Sequence, residues 1–129
     1  MEYWKEQYQL CMDDSDLVVI GDVENAEKLE SHIGKQNWGY IKYNISVVAN
    51  HVLKGEVKDK FDYTVWYEGR LDQKHEISGT SLFCLCTHEN GDFFDPDGFG
   101  RAPINDELMK FAIKLSPSSS GRQLTKCSN

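Results

Sequence analysis

Cys84, Cys86 and His88 fall at alternate positions at the end of a strand-like run that begins near Thr80. Alternate side chains of an extended chain share a face, so two soft sulfurs and an imidazole point the same way, a donor set that suits zinc. The same residues offer thiol chemistry, with Cys84 as nucleophile and His88 as its base. Geometry weighs against both. Same-face neighbours on a strand stand about 7 Å apart at their Cα atoms, so convergence on one ion needs a distorted strand end, and no fourth ligand is identifiable. No local signature of a thiol hydrolase surrounds the pair. Unpaired cysteine is among the most buried residue types, so core positions are the simpler reading for both. Cys84, Cys86 and His88 stand as metal candidates only, and neither a catalytic residue nor a cofactor is assigned.

Aromatic residues are the second group able to make specific contacts. Trp38, Tyr40, Tyr63, Trp66 and Tyr67 lie with Tyr43 on two strand-like runs, and those left exposed offer a surface for a protein, a sugar or a base. Asp92, Asp95 and Asp97 gather around Gly98 and Gly100 like the carboxylates of a calcium loop. The spacing fails that test, because Phe94 and Phe99 stand where ligands are needed, and a turn rich in Asp, Pro and Gly is expected. His32, His51 and His75 are isolated and read as solvated, and Glu24, Glu27 and Glu30 read as a wet helix face.

The chain has 129 residues, near the usual size of one domain, with 14 basic against 21 acidic residues and a net charge of −7. That excess repels polyphosphate and anionic lipid. Neither nucleic acid nor a membrane is therefore expected as a partner. No run approaches the roughly 20 apolar residues of a membrane helix. The N-terminus lacks the basic patch and apolar core of an export signal, so the chain as written reads as cytoplasmic, and export requires a leader removed from it. Four cysteines, Cys11, Cys84, Cys86 and Cys127, are too few for a disulfide framework, and reduced thiols are expected. In an exported chain, Cys11 with either strand cysteine is the favoured bridge, and a link between Cys84 and Cys86 is not expected. Asn44-Ile45-Ser46 is a glycosylation sequon within a strand-like run; it matters only if the chain passes through a glycosylating pathway and carries no weight in this reading.

The elements that must position these residues follow from periodicity. Trp4, Tyr8, Cys11 and Met12 predict a short helix over residues 1 to 12. Leu17 to Val23 is a continuous β-branched run, a strand buried on both faces, with Gly21 at a bulge or bend. Residues 24 to 37 read as a polar connection, partly helical over Glu24 to His32. A long alternating strand starts near Trp38 and breaks at Val47 to Ala49, where a bulge curves it. Phe61 to Tyr67, Thr80 to Thr87 and Phe93-Phe94 are further strands, the last two joined by an Asn90-Gly91 turn. The polar run Arg70 to Glu76 is a loop. Asn105, Asp106 and Glu107 begin an amphipathic helix carrying Leu108, Phe111, Ala112 and Leu115. The organisation is one globular domain over 1–115 with flanking helices, and a flexible tail over 116–129. Val18, Ile20, Ile45, Val47, Val65, Leu82, Phe83, Leu108, Phe111 and Leu115 are expected to share one core.

This inventory predicts a mainly β fold, α+β by content: a five-stranded, OB-like Greek-key barrel flanked by a short N-terminal helix and a C-terminal amphipathic helix. The succession Asp16 to Val23, Val52-Leu53-Lys54-Gly55, Gly79 to Cys86 and Gly91-Asp92-Phe93 resembles the netrin-module and tissue-inhibitor-of-metalloproteinase-like barrels over about residues 16 to 104. The resemblance implies a barrel and a protein-binding habit. In the inhibitors of that family an N-terminal cysteine grips the zinc of the target protease. Here Met1 opens the chain and the first cysteine is Cys11, so that mechanism does not carry over. The expected function is a non-enzymatic binding module, engaging a protein through barrel loops or an aromatic strand face. A metal- or thiol-dependent protein using Cys84, Cys86 and His88 is one alternative, and a carbohydrate-binding barrel is the other.

Overall fold

The computed structural model describes residues 3–70, 77–116 and 127. Helix α1, Tyr3–Asp14, leads into β1, Leu17–Ile33; then follow β2, Trp38–Lys54, β3, Lys60–Arg70, β4, Thr80–Thr87, β5, Phe93–Asp95, β6, Arg101–Pro103, and helix α2, Asp106–Ala112. The fold is mainly β with two helices, as the periodicity predicts. Strands neighbour one another in the order β1-β2-β3-β5-β4, and β4 returns antiparallel onto β1, closing a ring of five. β3 and β5 run parallel, while β6 lies antiparallel on β4 beyond the ring.

The first half of β1 forms as the apolar run requires, but its second half overturns the expected connection. Residues 24 to 33 continue as strand, paired with β2 as far as Ile33 against Gly39. Register shifts between Val23 and Asn25 and between Lys28 and Glu30 leave one unpaired residue each. These bulges break the period of two, and the exposed ribbon carries Glu and Lys, so Glu24, Glu27 and Glu30 imitate a helix face while lying on a strand. The bend expected near Val47 to Ala49 is realised beside it. Gly21 pairs with Ala49 and Ile20 with His51, leaving Asn50 unpaired. A Cβ at Gly21 would run into the Val48 carbonyl, so only glycine fits where the strands close up.

The single core is the second correction. Leu17, Val19, Ile45, Val47, Phe61, Tyr63, Val65, Phe83 and Leu85 fill the inside of the ring. Val18, Ile20, Leu82 and Cys84 instead pack outside it with Tyr8, Met12 and Ala112, flanked by Leu108, Phe111 and Leu115. The physical reason is the alternation itself. β1 and β4 are buried on both faces, one by the ring and one by the two helices, so neighbouring residues belong to different cores.

Both helices are tied down at their ends. The Asn105 side chain accepts the Leu108 N–H at 2.8 Å, the cap expected for α2. The regular helix stops at Ala112, earlier than the apolar spacing implies, and Ile113, Lys114 and Leu115 continue as hydrogen-bonded turns. Lys54 Nζ donates to the Met12 carbonyl at 2.8 Å, giving the C-terminal end of α1 a cation where its free carbonyls gather. Of the loop expected at Arg70 to Glu76, Arg70 belongs to β3 and residues 71–76 lie outside the described residues. The expected flexible tail also lies outside them, except at Ser116 and Cys127.

Candidate functional site on the outer face of β2 and β3

The cysteines correct the expectation of reduced thiols. Cys11 is bonded to Cys84 and Cys86 to Cys127, with Cα separations of 5.7 and 5.3 Å. The outward face of β4 positions both strand cysteines. Cys84 meets α1, which lies on that face, and Cys86, one same-face step further, meets Cys127. The pairing of Cys11 with a strand cysteine is the one favoured for an exported chain, and Cys84 and Cys86 do not bond to each other. The partnership of Cys127 had no signal in the sequence, because its flanking residues carry no core pattern.

The disulfides also separate the metal candidates. Both strand sulfurs are committed to sulfur partners, while His88 is exposed beyond the end of β4 and stacks on Phe94, ring centroids 3.9 Å apart. Cys86 and Cys127 do approach a third donor, Asp16, within 4.8 Å. Asp16 already accepts the Thr87 N–H at 2.9 Å, and the sulfurs are bonded to each other, so in this oxidised state the group is not a ligand set. The acidic string is a turn, as expected. Asp95 is buried and accepts N–H groups from Gly98 at 3.1 Å and Gly100 at 2.8 Å, and Asp97 accepts from Phe99 at 2.9 Å. Burial pushes the Asp95 carboxyl above its ordinary range, against the pull of the Gly100 hydrogen bond.

The aromatic candidates divide by strand parity. Tyr63 is not on the surface: it faces the inside of the ring, edge to face with Phe83, and its hydroxyl is buried without a hydrogen-bond partner among the described residues. Desolvation drives its phenol far above the ordinary tyrosine range. Tyr67, also on the inward parity, is half-buried against the same core, with its ring against Tyr43. Burial raises its phenol too. The other parity points outward. Trp66 is 39 % exposed and Trp38 58 %. Tyr40 leans on Trp66 with centroids 5.0 Å apart, and Lys42 Nζ stands 5.1 Å from the centre of the Trp66 ring.

The register explains this cluster. Lys42 pairs with Trp66 and Tyr40 with Glu68 across β2 and β3, while His32 of β1 pairs with Tyr40 and stacks on it at 6.0 Å. His32 joins the face through the unforeseen length of β1; Lys42 shares it with Tyr40 by alternation along β2, and only its pairing with Trp66 is hidden from residue spacing. Beside the aromatic cluster the same outer surface continues as an open groove of about 1070 Å³ between β3 and the β4–β5 turn, lined by Lys42, Asn44, Thr64, His88 and Asn90 among others. The face offers stacking surface, the cations Lys42 and Arg70, the latter paired with Trp38, and the amides of Asn44 and Asn90.

The chain matches no known family model, no curated protein and no solved structure.

Proposed function

We propose that the chain is a non-enzymatic binding module that engages a protein partner through the outer face of β2 and β3. The observation that carries this reading is the pairing of half-exposed Trp66 with Tyr40, extended by exposed Trp38 and by Lys42 over the indole. Large aromatic surface of this kind, held rigid by two paired strands, supplies contact area at low entropic cost and is typical of interface anchors. An OB-like Greek-key barrel is the architecture we infer, supported by the ring order β1-β2-β3-β5-β4 and the parallel β3–β5 pair. The likeness to netrin-module and inhibitor-like barrels belongs to the same proposal, and the target-zinc mechanism of the inhibitors stays outside it.

The two disulfides support work in an oxidising compartment, since such bonds persist there and are reduced in the cytosol. The net charge of −7 supports a protein partner over nucleic acid or an anionic membrane. Affinity capture from the native cell, run with the natural chain and with Trp66→Ala, tests the reading. A stoichiometric protein held by the natural chain and lost with the variant is expected. Capture unaffected by the substitution would place the partner elsewhere.

A further inference from the structure

We propose that Asn44 is an N-glycosylation site, and that its glycan stands in the groove beside the aromatic face. Asn44-Ile45-Ser46 has the acceptor pattern, with no proline in the middle position. A sequon at random on a buried strand would be blocked, so the decisive matter is which way it faces. Ile45 is fully buried inside the ring, and strand alternation turns Asn44 and Ser46 outward. Asn44 lines the open groove, and Ser46 lines a neighbouring recess with Asn25 and Asp62. The Asn44 side-chain amide makes no hydrogen bond among the described residues, so no internal hydrogen bond there is lost when that nitrogen is substituted.

The second observation is independent of the motif. Two disulfides support an oxidising compartment, and in a secretory route that is also where oligosaccharide transfer takes place. On the extended, unfolded chain, a bond forms between Asn44 Nδ2 and the anomeric carbon of an oligosaccharide. The bond from that carbon to a polyprenyl pyrophosphate breaks, the pyrophosphate leaves with the electron pair, and Nδ2 gives up one proton. When the strand then folds, its first sugar sits on the rung of Thr64, one same-face step from Trp66, about 7 Å along the strand. The glycan thereby bounds the partner face on the side of the β4–β5 turn and leaves Trp38, Tyr40 and Trp66 open.

This proposal rests on the compartment inferred above, and the same sample separates the two. The protein isolated from its native cells is digested under non-reducing conditions and its peptides are mapped before and after treatment with a peptide N-glycosidase. The expected result is both disulfides formed and Asn44 carrying a glycan, read as conversion of that asparagine to aspartate on enzymatic release. Expressed in the same cells, Asn44→Gln and Ser46→Ala lose the modification and Ser46→Thr keeps it, which distinguishes loss of the acceptor from loss of the fold. Formed disulfides with unmodified Asn44 overturn the site and spare the compartment. Free thiols with unmodified Asn44 overturn both.

Discussion

Val18 and Val19 are neighbours in the chain and fully buried in different cores: Val19 packs inside the strand ring, Val18 outside it beneath the two helices. The ring and its helical cover therefore share β1 and β4, and the end of β2 also reaches the cover through Leu53 and through Lys54 on the Met12 carbonyl. Truncation on either side should cost about 2 to 5 kcal/mol, the range for large buried apolar side chains. The signatures differ. Leu82→Ala should raise amide exchange in α1 and α2 more than in β3, whereas Val65→Ala should loosen β2 and β3 first. Exchange rates read residue by residue check this, and a uniform response to both would show one core.

The Cys11–Cys84 bond closes a chain separation of 73 residues and fastens α1 to the ring. Loop-closure entropy alone assigns such a bond about 4 kcal/mol. Replacing both cysteines by alanine should lower urea stability by about 2 to 4 kcal/mol and increase exchange in α1. Thiol titration of the denatured natural chain should find no free group before reduction and four after it.

Acid should act on two carboxylates in opposite directions. Asp22 accepts hydrogen bonds from Thr80 and from Asn50, the latter at 3.0 Å, and these hold its carboxyl below the ordinary range. Its contribution is present above the unfolded value of about 3.9 and is lost as pH falls through the lower folded value. Burial raises Asp95, so the folded chain takes up that proton first, and stability from this group rises as pH falls from its raised folded value toward about 3.9. Urea melts of Asp22→Asn and Asp95→Asn against pH should differ from the natural chain with slopes of opposite sign. Equal signs would show that one of the two environments is misassigned.

Nucleic acid should not bind measurably at physiological ionic strength. Lys54, Lys58 and Lys60 form the densest basic stretch, but Glu56 and Asp59 interrupt it, and Lys60 is already 3.2 Å from Glu24. Fluorescence anisotropy with single- and double-stranded probes checks this. Salt-sensitive micromolar affinity would show a basic stripe at work.

The ring strands, the Asn105 cap and the Asn90-Gly91 turn were legible because each depends on local chemistry: β-branched runs, a side-chain acceptor, a glycine at positive φ. The outer half of β1 was not, because bulges at Glu24 and Leu29 scramble the alternation that announces a strand. Two cores were hidden by a similar ambiguity, since a continuous apolar run says that both faces are covered but not by what. Trp38, Tyr40 and Trp66 were legible as candidate contacts. Separating them from Tyr63 and Tyr67 required knowing which parity of β3 faces the inside of the ring, which the burial of Tyr63 and Val65 settles and residue order alone does not.

The most direct measurement places a photo-crosslinking amino acid at Glu68, which pairs with Tyr40 on the exposed face, and for comparison at Lys110 on the exposed side of α2. After irradiation in the native cells, Glu68 should yield one dominant covalent adduct with a protein, Lys110 should yield none, and Trp66→Ala should abolish the adduct at Glu68. Absence of an adduct at Glu68, or equal adducts at both positions, would contradict a partner docked on the aromatic face.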